Sequence, residues 1–158
     1  MQTGTVKTMM KLGVVALAAV LAVAGAVTAF SLPGFGKFEK AKVAKGAVSV
    51  PLADLQDGKA RFYRHSEGGR DIAFFAVKAP NGSYRVAFDA CEVCFQEKKG
   101  YVQDGGFMTC RQCNKKFATD RIGEGPGGGC NPAAIPARQA GGNLVISVAD
   151  IRSGARFF

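Results

Sequence analysis

Residues 71–113 read DIAFFAVKAPNGSYRVAFDACEVCFQEKKGYVQDGGFMTCRQC. Two apolar runs, 71–79 and 84–90, flank Pro80-Asn81-Gly82-Ser83. An Asn-Gly pair between such runs is a strong hairpin signal, because both residues tolerate positive φ. Asn81-Gly82-Ser83 also matches a glycosylation acceptor, but the turn accounts for those residues more simply. Directly after the hairpin come two Cys-x-x-Cys pairs, so the chemistry is carried on the loops of a β unit.

Period-2 patterns and turn residues continue on both sides. Short strands are expected at 47–52, 59–65, 107–109, 116–118, 144–148 and 155–158. The expected fold is mainly β, a small antiparallel barrel or sandwich with two Cys-x-x-Cys metal-binding loops. Gly and Pro punctuate GEGPGGGCNPAAIPARQAGG (123–142) so densely that it reads as a structured loop. ADLQDGKARFY (53–63) is echoed by ADIRSGARFF (149–158). Each copy reads as a polar turn, a glycine in an unusual conformation, then a strand with Arg and two aromatics.

The N-terminal part is a separate object. Leu12 to Leu32 is a 21-residue stretch without charge, preceded by Lys7 and Lys11. That length spans a hydrocarbon core at about 1.5 Å per residue. Val27-Thr28-Ala29 also resembles a signal cleavage site. Residues 1–36 are therefore read as a membrane anchor or signal segment, 37–46 as a basic linker, and 47–158 as the cysteine-containing β domain. The expected placement is the cell membrane, single-pass, with the domain extracytoplasmic (periplasmic or cell surface). The lysines of KFEKAKVAK (37–45) also suit a juxtamembrane segment against anionic head groups.

The formal charge of +9 and pI of 9.6 raise nucleic acid or an anionic surface as partners. No nucleic-acid fold signature is present, and the aromatics do not interleave with basic residues as a stacking platform requires. A solvated basic surface is the simpler reading, with no nucleic-acid partner.

Fifteen residues separate Cys94 from Cys110, giving C-x₂-C-x₁₅-C-x₂-C. This is metal-ligand spacing, and Cys91, Cys94, Cys110 and Cys113 are the expected ligands of a tetrahedral thiolate site for iron or zinc. Neither pair is followed by His, which disfavours covalent haem attachment. The single histidine, His65, reads as structural. Plain disulfides and thiol–disulfide exchange are the alternatives, but an odd fifth thiol, Cys130, remains. Cys130 is a candidate additional ligand or redox partner, on a glycine run whose N–H groups suit a cluster or anion.

The stretch from FFAVKAP through FDACEVC and MTCRQC to GGGCNP resembles the FtrD-like membrane iron–sulfur family, associated with bacterial iron transport. The resemblance implies that Cys91, Cys94, Cys110 and Cys113 are cluster cysteines and that Cys130 is the cysteine of the GGCNP motif. A weaker, fold-level likeness is to Rieske domains, with Cys94 and Cys113 near the histidine positions. Four thiolates in place of that mixed set imply a lower potential, toward about −400 mV. The expected function is a membrane-anchored electron carrier linked to iron handling, holding an iron–sulfur cluster or mononuclear iron. Its expected partners are the membrane, a redox partner and iron-transport components. The rivals are a zinc-stabilised binding module and a thiol–disulfide redox protein. No nucleophile–base pair argues for an enzyme.

Overall fold

The computed structural model describes residues 36–125 and 129–158. The apolar stretch 12–32 and the site at 27–29 lie outside the described residues. No helix among the described residues is long and apolar enough to cross a membrane.

The strands in chain order are β1 (Phe38–Lys40), β2 (Val43–Ala44), β3 (Ala47–Pro51), β4 (Arg61–Glu67), β5 (Arg70–Lys78) and β6 (Tyr84–Phe88). They continue as β7 (Tyr101–Asp104), β8 (Phe107–Cys110), β9 (Lys116–Ala118), β10 (Ala137–Ala140) and β11 (Asn143–Ser147). One short helix, α1 (Val148–Ser153), follows. They form three sheets, ordered β1-β4-β5-β6, β10-β11-β3-β2 and β7-β8-β9. The mainly β expectation therefore stands, but no barrel closes among the described residues. The third sheet is a separate small meander: the first cysteine loop leads into β7, and the second Cys-x-x-Cys begins at the end of β8 and runs into the β8–β9 turn.

β5 explains why the sequence runs apolar without alternation. Ile72, Phe74 and Ala76 face a core shared with Val48, Val50, Leu144 and Ile146 of the second sheet. Phe75 and Val77 face a second core with Tyr101, Met108, Ile122, Cys91 and Cys110. Side chains alternate across a strand, so a strand covered on both faces must be apolar at every position. β5 thus joins the scaffold core to the cysteine side.

The β5–β6 hairpin forms as expected, with Phe74 opposite Phe88 and Lys78 opposite Tyr84. Its turn differs in detail. Of the Asn-Gly pair only Gly82 takes positive φ, +83°. Its N–H bonds the Ala79 carbonyl at 2.9 Å, and the Asn81 side chain accepts from the Ser83 N–H at 3.0 Å. The loop is a tight turn followed by a left-handed glycine rather than a two-residue turn.

Three expectations are corrected. The 37–46 stretch, read as a linker, carries β1, which pairs parallel to β4, and β2, which pairs with β3. Residues 123–142, read as loop throughout, end in β10. The 155–158 strand does not form: Ala155–Phe157 is a 3-10 turn following α1. Ser147 caps that helix, its Oγ accepting from the N–H groups of Ala149 (3.0 Å) and Asp150 (3.4 Å). The echo with 53–63 therefore breaks: Gly58 has φ +69° and precedes β4, whereas Gly154 has φ −87° and ends a helix. Phe157 then packs on Phe88 and Phe95, with ring centroids at 6.1 and 5.7 Å.

Loss of that cap is measurable. Ser147→Ala should lower unfolding free energy by about 1 kcal/mol, read as a reduced urea midpoint with an unchanged slope. An unaltered midpoint would mean that α1 is held by Val148 and Ile151 burial alone.

Candidate metal centre

Four elements converge on the thiols, and strand register places each one. β6 leads through Asp89 and Ala90 directly into Cys91. On the free edge of β6, residues 133–135 lie antiparallel: Phe88 N–H to Ala133 O is 3.0 Å, and Ile135 N–H to Val86 O is 2.8 Å. Ala87 opposes Ala134 in the same ladder. Continued backwards, that register sets Cys130 against Cys91. In the third sheet Tyr101 pairs with Cys110, which fixes the second Cys-x-x-Cys turn at the end of β8.

Tyr101, fully buried, ties these pieces together. Its N–H donates to Asp89 Oδ1 at 2.7 Å and its hydroxyl to the Cys130 carbonyl at 2.7 Å. Lys37 Nζ donates to Asp89 Oδ2 at 2.6 Å and to the Tyr101 carbonyl at 2.9 Å. The Lys37 ammonium also lies 4.0 Å from the Phe62 ring centroid. Burial pushes the Asp89 carboxyl above its ordinary range, partly offset by Lys37 and the Tyr101 N–H. Burial likewise brings Lys37 down, against the pull of Asp89. The loop from Cys91 closes at Gly100, where a Cβ would stand 2.6 Å from Asp89 Oδ1. Only glycine lets the backbone come that close to the carboxylate.

All five cysteines are free, and their sulfurs gather in one place. The Sγ atoms of Cys91, Cys94 and Cys130 lie within 4.8 Å of one another, as do those of Cys94, Cys110 and Cys113. Cys94 belongs to both groups. The Cys91–Cys94 sulfurs are 3.4 Å apart and those of Cys113 and Cys130 3.6 Å, far beyond a disulfide bond. Cys91 and Cys110 are buried, while Cys113 is exposed. Val93, between the first pair, is 64% exposed, so the cluster has one dry side and one open edge.

The acidities fit a cation-seeking set. Cys94 is raised by its contact with Cys91 and by burial, and Cys110 by burial first. Burial and the neighbouring Cys91 and Cys113 push the Cys130 thiol up to about 12. Cys113 is brought down to about 7, chiefly by the Lys115 N–H. Burial opposes ionisation of Cys91, but contacts to Cys130 and Cys94 and backbone N–H groups outweigh it. Five sulfurs at these separations cannot all carry charge unless a cation enters to offset their repulsion. A soft metal is the cation that such a donor set suits.

The structure therefore assembles all four sequence-predicted ligands, and Cys130 with them. His65 is apart, on β4, with Nε2 3.4 Å from a Glu67 oxygen. Asp89, Tyr101 and Lys37 were not identified from sequence. The FDAC spacing and the glycine before Tyr101 were the available signals.

Comparison with known proteins agrees with this site. The family described as "Membrane iron-sulfur containing protein FtrD-like" matches residues 55–158. No curated protein matches the chain. Among solved structures, a crystal structure of the quaternary ammonium Rieske monooxygenase CntA with an inhibitor aligns at 11% identity and a TM-score of 0.45. The alignment covers 66% of this chain and 32% of that one, so this chain spans about a third of its length.

Removing the Asp89 carboxylate should be costly, because it leaves the Tyr101 N–H and Lys37 without their acceptor. Asp89→Ala should destabilise by about 3 kcal/mol, taken at the lower end because Lys37 is 27% exposed. The comparison is Asp104→Ala, which breaks an exposed, solvent-screened pair with Lys116 and should cost far less. Equal losses in denaturant titrations would refute the special role of Asp89.

Proposed function

Since this chain belongs to the FtrD-like family of membrane iron–sulfur containing proteins, we propose that it is a membrane-anchored electron carrier serving iron handling. The observation that carries the reading is the gathering of five free thiols, two of them buried, at the mouth of a preformed β scaffold. Cys91, Cys94, Cys110 and Cys113 would hold an iron–sulfur cluster, with Cys130 as the thiol beside them. Such a centre, when bound, exchanges single electrons at a potential set by its ligands and surroundings.

The chain's own residues define those surroundings. Phe75, Tyr101, Met108 and Ile122 close the inner side and exclude water. The Tyr101 hydroxyl fixes the Cys130 backbone, and Asp89 fixes both ends of the first cysteine loop. Cys113 and Val93 supply the exposed edge, the natural approach for a redox partner. The apolar stretch 12–32 would anchor the domain outside the cytoplasm, close to iron-transport components.

A second reading has its own observation: Cys113 is exposed and its thiol lies near 7, the range of a reactive cysteine. Thiol–disulfide exchange would use it with Cys130, 3.6 Å away.

The deciding experiment is full-length protein purified without oxygen in neutral detergent, analysed for iron, acid-labile sulfide and EPR before and after reduction. Iron with equimolar sulfide and a reducible signal is expected. Cys91→Ser and Cys110→Ser should abolish iron retention, whereas Cys130→Ser should keep iron and alter the spectrum. A colourless protein with one zinc would refute electron transfer and leave a zinc-stabilised module. Metal-free protein that reduces a model disulfide would favour the exchange reading.

A further inference from the structure

Beside the cysteine loops lies a cleft of about 550 Å³. Six cationic side chains line it, Lys37, Arg64, Arg70, Lys98, Lys99 and Arg111, against two carboxylates, Asp71 and Asp89. Part of that charge is already engaged. Lys37 is bound to Asp89, Arg64 lies 3.7 Å from Asp71, and Arg70 donates to the Ala155 carbonyl at 3.1 Å. Lys98, Lys99 and Arg111 have no ion-pair partner among the described residues. Aromatic rings also line it, from Phe38, from Phe158 and from the contacting pair Phe95 and Phe157.

We propose that this cleft binds a small amphipathic anion, a phosphate or carboxylate carried on an apolar or aromatic body. The volume falls within the range of small-molecule sites. Three cations outside any ion pair set the charge of the head, and the phenylalanines set the character of the body. A folded protein partner fits less well, because the cations surround a concavity instead of spreading over a flat face. Single-stranded nucleic acid would need a groove that continues, with successive stacking rings.

The position gives the site a meaning for the thiols. Asp89 and Ala90 precede Cys91, Phe95 follows Cys94, and Arg111 stands between Cys110 and Cys113. An anion held there lies against both cysteine loops. The proposal does not depend on which metal the thiols take, since every lining residue belongs to the protein scaffold.

The test is calorimetric titration of the full chain in neutral detergent with phenyl phosphate, inorganic phosphate and phenol in turn. Phenyl phosphate should bind saturably at one site and more tightly than either fragment. Lys98→Gln/Lys99→Gln should weaken it by about tenfold, with an unchanged circular dichroism spectrum. Lys42→Gln/Lys45→Gln, which removes the same charge from exposed positions outside the cleft, should leave it unchanged. Absence of saturable binding, or equal weakening in both double variants, would overturn the proposal. Repeating the titration in nanodiscs with and without phosphatidylglycerol identifies the source of the anion. Competition by the lipid assigns the cleft to a head group, and its absence to a soluble anion.

Discussion

The contact between the Asp89 carboxylate and the Tyr101 N–H holds the functional half of the molecule together. Four of the five thiols sit on turns and loops, with Cys110 at a strand end, and loops need an anchor to keep side chains at fixed separations. Asp89 stands two residues before Cys91, and Tyr101 pairs with Cys110. One hydrogen bond at 2.7 Å therefore couples the two Cys-x-x-Cys segments, and the Tyr101 hydroxyl extends the coupling to Cys130. A buried carboxylate is expensive, so the Lys37 ammonium and the Tyr101 N–H must stay with it. Lys37 lies just before β1, which explains why a segment resembling a linker is drawn into the sheet beside β4.

The second constraint is β5. Because both its faces are covered, packing on the scaffold side is transmitted directly to the side that supports Cys91 and Cys110. Protein interiors are close-packed, so such a strand has little freedom to shift. The thiols are consequently carried by a rigid wall on the inside and by short turns on the outside. That arrangement suits a centre that must keep its geometry while one edge meets solvent or a partner.

Legibility in the sequence followed the strength of each local pattern as well as the range of the interactions. The hairpin at 71–90 could be read locally, since its apolar runs and its glycine turn are neighbours in the chain. β9 was equally local. β1, β2, β7 and β10 were not legible because each is short and carries no alternating apolar run; β1 is held by pairing with the distant β4, while β2, β7 and β10 form hairpins with the strands that follow them. The C-terminal aromatics misled in the opposite sense: ARFF has strand composition, but the Ser147 cap and the packing of Phe157 on Phe88 set a helix and turn. At the site, the spacing of four cysteines announced their chemistry. The part of Cys130 depends on the antiparallel register of 133–135 with β6, which no local pattern reveals. The basic residues likewise read as a solvated surface, and only the fold gathers six of them around one cleft.

Iron K-edge X-ray absorption on the full-length protein, purified anaerobically, tests the central claim most directly. The account predicts a first shell of sulfur alone with an iron–iron distance beyond it, and loss of that pattern when Asp89 is replaced. A first shell of nitrogen or oxygen, or sulfur ligation unaffected by loss of Asp89, would contradict it.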